Sequence, residues 1–239
     1  MYALAGGNKL SKKALIFGIS GQDGALLAQL LLSKGYDVAG VSRDAQLSSF
    51  HNLKVLRIAD AVQTFSANPV DFRSVINVIS KTCPLEIYNL TGQSSVGLSF
   101  EQPVETFNSI GIANLTLLET IRFLGDKSIR YYNAGSGECF GNTAAPVTEE
   151  APFYPRSPYA VAKATAFWQV ANYREAYDLY ACSGILFNHE SPLRPERFVT
   201  QKIVRAACRI AEGSREKLAL GNIEIERDWG WAEEYVDAM

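Results

Sequence analysis

Histidine and cysteine are scarce in this 239-residue chain: two histidines, His51 and His189, and four cysteines, Cys83, Cys139, Cys182 and Cys208. No two cysteines stand in CxxC spacing, and so few imidazoles leave no ligand set for zinc, so no metal site is expected. Scattered single cysteines fit a reducing compartment, where a thiol behaves as a small apolar side chain. An excess of charge of either sign is missing too. Lys and Arg number 23 against 25 Asp and Glu, a net charge of −2. That excludes the basic footprint of a nucleic-acid binder and the polybasic patch of a membrane-surface protein. No apolar run reaches the length of a membrane span, and the stretch from Met1 to Lys13 lacks the apolar core and small-residue cleavage pattern of a secretion signal. The expectation is a cytoplasmic protein whose residues 1–12 form a flexible lead.

What is present is alternation. Lys13-Ala-Leu-Ile-Phe17 is a short apolar run ending at Gly18 and reads as a buried strand. Residues 25–34 place Leu27, Leu30 and Leu31 on one helical face and stop at Gly35, and residues 36–41 read as a second strand. Further strands are expected at 63–67, 85–90, 129–134 and 182–188, with helices at 71–81, 108–124, 158–177 and 199–212. Strands alternating with helices imply an α/β, Rossmann-type doubly wound parallel sheet covered on both faces. The pattern loosens past Asn188. A dinucleotide-binding domain is therefore expected over 13–188 and the start of a smaller lobe over 189–239.

Between the first strand and helix lies Gly18-Ile-Ser-Gly-Gln-Asp-Gly24. Gly18 suits the tight turn, Gly21 the close approach of backbone to a pyrophosphate, and Gly24 close helix–strand packing. The helix N-terminus beyond offers free N–H groups to phosphates, and Gln22 and Asp23 within the same motif are cofactor-site candidates as well. A plain glycine-rich turn is the alternative, and the strand–helix–strand context argues against it. The second strand ends Ser42-Arg43-Asp44. A guanidinium here suits a 2′-phosphate and favours NADP over NAD, whereas Asp44 points the other way and a solvated surface arginine is the bland reading of Arg43.

Ser157 is a natural N-cap, Pro158 a natural first helical residue, and Tyr159 and Lys163 lie four apart on the same face. A neighbouring ammonium favours the phenolate, so Tyr159 is expected to have a lowered pKa and to take a proton from a hydroxyl as hydride leaves the same carbon. Lys163 is placed to hold the cofactor ribose as well. The alternative is an ordinary exposed Tyr–Lys pair. Upstream, Ser136 and Glu138 follow the strand at 129–134, at the end of the sheet where ligands sit. Ser136 is a candidate to hydrogen-bond the reacting oxygen and Glu138 a candidate base, with a simple chain turn carrying a solvated carboxylate as the even alternative.

The strings Gly18–Gly24, Tyr154-Pro-Arg-Ser-Pro-Tyr-Ala-Val-Ala-Lys163, Gly184-Ile-Leu-Phe-Asn-His-Glu-Ser-Pro192 and Arg227-Asp-Trp-Gly230 resemble the extended short-chain dehydrogenase/reductase family, and within it the GDP-mannose 4,6-dehydratases. The resemblance runs from about Lys13 to the last residues. It implies an NADP-dependent lyase acting on a nucleotide sugar, GDP-mannose, through oxidation at C4, loss of water across C5 and C6, and return of hydride to C6. It assigns Ser136, Glu138, Tyr159 and Lys163 to catalysis, with Ser136 standing where relatives have threonine. Asn68, Leu90, Thr91, Gly92, Ser94, His189 and Arg194 are implied to touch the cofactor, and Asn188 and Arg227 the sugar nucleotide. Core packing of His189 and surface placement of the two arginines are the competing readings.

The chain departs from the family pattern in several places. Asn68-Pro69 replaces an Asp-Leu pair beside the adenine, Gly137 replaces a serine and is expected to loosen its loop, Ser95 replaces a histidine and Glu105 a tyrosine. One arginine follows the second strand where two are common. Family members continue past Met239, so 189–239 is expected to be an incomplete sugar-nucleotide lobe. A homo-oligomer is implied through the helices at 108–124 and 158–177, which carry Leu115, Leu118, Ile121, Phe167 and Trp168; these side chains could equally pack on the sheet. A 4-keto reductase or epimerase of the same fold is the nearest competing function, separated by the extra base Glu138. A non-catalytic NADP-binding module is the competing reading from another class.

Overall fold

The computed structural model describes residues 12–239, so the lead expected over residues 1–12 lies, except for Lys12, outside the described residues. Six strands, β1 (Lys13–Phe17), β2 (Asp37–Ser42), β3 (Gln63–Ser66), β4 (Glu86–Asn89), β5 (Arg130–Ala134) and β6 (Tyr180–Gly184), form a sheet in the order 3-2-1-4-5-6 with every pair parallel. The alternation expected from sequence is thus a doubly wound Rossmann-type fold. Side chains of β1 alternate between its two faces. Leu15 and Phe17 enter one core with α3 (Phe72–Thr82), α6 (Ala113–Leu124) and α7 (Pro158–Tyr177). Ala14 and Ile16 enter the other with α1 (Gln22–Ser33), α2 (His51–Val55) and α9 (Ala232–Asp237). Each large aliphatic chain buried this way contributes about 1.5–3 kcal/mol relative to exposure.

The order reverses at β1, which has β2 on one side and β4 on the other. Crossovers leave the sheet in opposite directions there, opening a crevice at the strands' C-terminal ends. Short helices α4 (Val96–Glu101) and α5 (Pro103–Phe107), not anticipated from sequence, flank that crevice, and a π-helical turn at Asn108–Ile112 leads into α6. The expected helix at 108–124 is therefore two pieces. Within them Leu118 and Ile121 are buried against the sheet and Leu115 packs on the same core, so these three are spent inside the molecule, whereas Trp168 of α7 is 62% exposed.

The strand expected at 182–188 begins earlier and ends at Gly184. A Cβ at Gly184 would stand 2.0 Å from the Tyr132 hydroxyl oxygen, so only glycine fits over that side chain. The chain then leaves the sheet and forms β7 (Asn188–Glu190), which pairs in parallel with β8 (Trp229–Trp231) as a separate two-stranded ribbon. Between them runs α8 (Val199–Ala211), and α9 follows β8 to dock on α1, with Lys34 and Asp237 paired at 3.1 Å. Among the described residues no helix is long and apolar enough to cross a membrane.

Candidate active site

The glycine turn is shaped by three close approaches. Gly18 has φ +90°, and a Cβ on it would lie 2.6 Å from the Leu90 carbonyl oxygen at the end of β4. The Gly21 N–H donates to the Gly18 carbonyl at 3.0 Å and Gly21 caps α1 with no side chain bonded across the helix end. A Cβ on Gly24 would meet the Gly18 carbonyl oxygen at 2.3 Å, which lets α1 start three residues earlier than the apolar periodicity indicates. The outcome is a helix N-terminus aimed into the crevice with backbone N–H groups uncovered by side chains, the arrangement that accepts phosphate.

Two adjoining cavities occupy the crevice and share the wall Leu90–Gln93. The outer one, about 600 Å³, is lined by Gly18, Gly21, Arg43 and Asn68. The inner one, about 140 Å³, gathers Asp23, Ser94, Ser136, Glu138, Tyr159, Lys163, Asn188, His189 and Arg194. Leu90, Thr91 and Gly92 line both. Residues up to 171 positions apart thus converge because β1, β4, β5 and β7 all deliver their C-terminal ends or neighbours to one edge. A chain of side-chain hydrogen bonds pins those ends: Thr91 Oγ1 to Asn89 at 2.6 Å, Asn89 to Asn133 at 3.3 Å, and Asn133 to Ser183 at 3.2 Å. Asn89 and Asn133 were not singled out from sequence, although an asparagine at or next to the end of each of two neighbouring strands is a readable signal.

Three of the residues singled out lie outside both linings. Gly24 packs beneath the turn as described. Gln22 is buried with its amide donating to the His189 carbonyl at 3.3 Å and to Asp23 at 2.9 Å, and accepting from the Ser191 hydroxyl at 2.8 Å. It fastens the segment after β7 to the glycine turn. Arg227 reaches the inner site from the rim, its Nε 3.8 Å from Glu138 Oε1.

Tyr159 and Lys163 are both buried on the inward face of α7, which starts as expected with Ser157 accepting from the Ala160 N–H at 3.1 Å. Lys163 Nζ donates to the Ala134 carbonyl at 2.7 Å and lies 5.8 Å from the centre of the Tyr159 ring. Burial pushes Tyr159 up to about 12, only partly offset by the Ser136 hydroxyl, and pushes Lys163 down to about 8. The lowered value expected for Tyr159 is thus not reached in the protein by itself, where removal from water raises it. Ser136 Oγ accepts from the Glu138 N–H at 3.3 Å, setting the carboxylate two residues on at the cavity edge. The loop carrying them is not loosened by Gly137. Its N–H donates to the Leu186 carbonyl at 2.8 Å, and the Phe187 ring sits 2.9 Å from where a Cβ would be. Phe187, itself stacked on Phe140, is a shaping residue that sequence reasoning passed over.

His189 faces two acceptors, the Phe187 carbonyl at 2.7 Å from Nδ1 and Asp23 Oδ2 at 3.0 Å from Nε2. Only the imidazolium, with a proton on each nitrogen, satisfies both. Burial opposes that charge, but the Asp23 carboxylate outweighs it and holds His189 above its ordinary pKa; the imidazolium in turn holds Asp23 below the usual carboxylate value although burial pulls upward. The Tyr235 ring of α9 stacks on the imidazole at 4.3 Å, another partner invisible in sequence. Arg194 lies 3.6 Å over the Phe198 ring with its Nε 3.3 Å from Glu190 Oε1.

The sheet order, glycine turn and Tyr–Lys helix define a Rossmann protein of the short-chain dehydrogenase/reductase type. A solved structure of Thermus thermophilus UDP-glucose 4-epimerase with NAD matches it with a TM-score of 0.81 over 95% of this chain and 72% of that one, at 24% identity, a likeness of fold alone. The family model described as GDP-mannose 4,6 dehydratase matches residues 15–239. Curated GDP-mannose 4,6-dehydratases are similar throughout: that of Sinorhizobium fredii is 48% identical over 95% of this chain and 67% of its own length, that of Vibrio cholerae 46% over 95% and 63%. The chain belongs to the GDP-mannose 4,6-dehydratase family and spans about two thirds of the length of those relatives.

Proposed function

We propose that the protein is an NADP-dependent nucleotide-sugar 4,6-dehydratase, a hydro-lyase converting GDP-mannose to GDP-4-keto-6-deoxymannose. The observation that carries this reading is the convergence of Tyr159, Lys163, Ser136 and Glu138 on one small cavity that adjoins a larger one lined by the glycine turn, Arg43 and Asn68. The donor set suits such a cofactor. The uncapped α1 N-terminus and Gly21 cradle the pyrophosphate, Asn68 borders the adenine, and Leu90, Thr91, Gly92 and Ser94 line the path toward Lys163, which holds the nicotinamide ribose. Asp23, His189 and Arg194 close the far side. Preference for NADP is supported by Arg43 at the end of β2, which lines the outer cavity, whereas Asp44 is not among its lining residues and its carboxylate accepts from the Gln46 and Leu47 N–H groups at 3.0 and 3.2 Å. The bound cofactor supplies a hydride acceptor for C4 and a hydride donor for C6.

Tyr159 takes the proton of the 4-hydroxyl, with Ser136 hydrogen-bonded to the same oxygen. Its phenol must be lowered from about 12, and Lys163 together with the positive charge of the oxidised nicotinamide favours the phenolate in the loaded site. A ketone at C4 acidifies the C5 hydrogen. Glu138 removes that proton and delivers it to the 6-hydroxyl, which departs as water. With hydride returned to C6, C5 takes a proton from solvent and Tyr159 gives up the one it took, so the net change is loss of one water. Asn188 and Arg227 hold the sugar nucleotide, Arg227 through its diphosphate. A homo-oligomer in the cytoplasm is the assembly and location consistent with this reading. Incubation of the purified chain with GDP-mannose and a catalytic amount of NADP, followed by mass spectrometry, tests it. Loss of one water is expected, slowed about 10²–10⁴-fold in Glu138→Gln. A folded, cofactor-binding chain that leaves GDP-mannose intact would refute the dehydratase assignment.

A further inference from the structure

The outer cavity contains three charged side chains, each from a different part of the chain: Arg43 after β2, Glu105 in α5 and Arg197 before α8. Arg43 Nη1 stands 4.0 Å from Glu105 Oε1, so the carboxylate faces the very cation expected to receive a 2′-phosphate. Taken as a pair, Arg43 and Glu105 are neutral. A phosphate monoester carries a charge of about −1.5 to −2, and a neutral subsite gives it no net attraction over a ribose hydroxyl. Arg197 changes the sign. No ion pair engages it among the described residues, because the adjacent Glu196 is taken up by Arg209 at 3.0 Å and Arg205 at 3.9 Å. Its guanidinium lies 5.1 Å over the Phe198 ring, which gives a long side chain a flat support while leaving its donors free.

We propose that the choice between NADP and NAD is set by this three-residue arrangement: Arg197 supplies the second cation of the 2′-phosphate subsite from a segment about 170 residues beyond the glycine turn, and Glu105 competes with the phosphate for Arg43. The inference rests on the dinucleotide reading of the outer cavity and adds two residues to it. It also accounts for a subsite in which a single arginine follows β2. The second charge comes from the segment between β7 and α8 and folds over the same opening. Dinucleotide binding orders the Arg197 side chain, and removal of the Glu105 charge releases Arg43 to the ligand.

Calorimetric titration of the purified chain and its Arg43→Gln, Glu105→Gln and Arg197→Gln variants with NADP and with NAD tests the proposal without turnover. All three side chains are exposed, so the variants are expected to keep the thermal midpoint of the parent. Arg197→Gln is expected to weaken NADP about five- to tenfold and to leave NAD within twofold. Glu105→Gln is expected to strengthen NADP several-fold, and the preference for NADP is expected to decline with added salt. Equal effects of Arg197→Gln on both dinucleotides, or none on either, would overturn the proposal while Arg43→Gln still reports on the subsite. A parent chain that binds neither dinucleotide would overturn the cofactor reading and this inference with it.

Discussion

Lys163 is a buried ammonium with one hydrogen bond, to the Ala134 carbonyl, and burial holds its pKa near 8. Its folded-state value lies below the ordinary lysine value, so folding releases protons between about 8 and 10.4 and stability rises with pH across that window. Below it the charge is retained at a cost, which is tolerable only if the charge is used. Lys163→Met is therefore expected to lower turnover by about 10²–10⁴-fold while leaving the thermal midpoint at pH 7 unchanged or higher, as read by calorimetry or circular dichroism. A large fall in the midpoint would mean that Lys163 is structural. Among the residues singled out, those within a local string were legible. Tyr159 and Lys163 announce themselves by four-residue spacing behind Ser157-Pro158. Gln22 sits in an equally suggestive string, yet its amide is consumed by His189, Asp23 and Ser191, and no local pattern reveals partners 167 and 169 residues away.

At the scale of elements, the clasp between the α1 start and the β7–α9 segment joins the glycine turn to the end of the chain. Asp23, His189 and Tyr235 form its centre, with Arg194 the further charge acting on both partners. His189 has a raised folded-state pKa, so its contribution is complete below the unfolded value of about 6.5 and is lost as pH rises through the higher folded value. Asp23 has a lowered one, so its contribution is present above about 3.9 and lost as pH falls through the folded value. Together they stabilise most between about pH 4 and 6.5. The difference in thermal midpoint between the parent and His189→Gln is expected to be largest at pH 6 and to shrink by pH 9; a difference independent of pH would show that the ring acts through packing alone. Boundaries at this scale were legible where a glycine or proline punctuates the chain, as at Gly35 and Pro158. They were not at Gly184, where the strand stops short of the expected 188 and a Cβ would meet the Tyr132 hydroxyl, or at Asn108–Ile112, where a π-helical turn interrupts an unbroken apolar pattern.

For the whole molecule, strand–helix alternation was sufficient to define the doubly wound sheet, because parallel crossovers permit few other arrangements. Strand order and the meeting of the two cavities were not written locally. They follow from long-range pairing that places β4 beside β1 and carries Arg197 over the crevice from the far end of the chain. The account stands or falls on the internal transfer of hydride. GDP-mannose deuterated at C4 of the mannose, incubated with the chain and substoichiometric NADP and followed by nuclear magnetic resonance, reads it directly. The expected product is a 4-keto-6-deoxy sugar nucleotide with the deuterium at C6 and a solvent-derived hydrogen at C5. Deuterium accumulating in the reduced cofactor, or returning to C4 with inverted configuration, would contradict the dehydratase account and assign the site to an oxidoreductase or an epimerase.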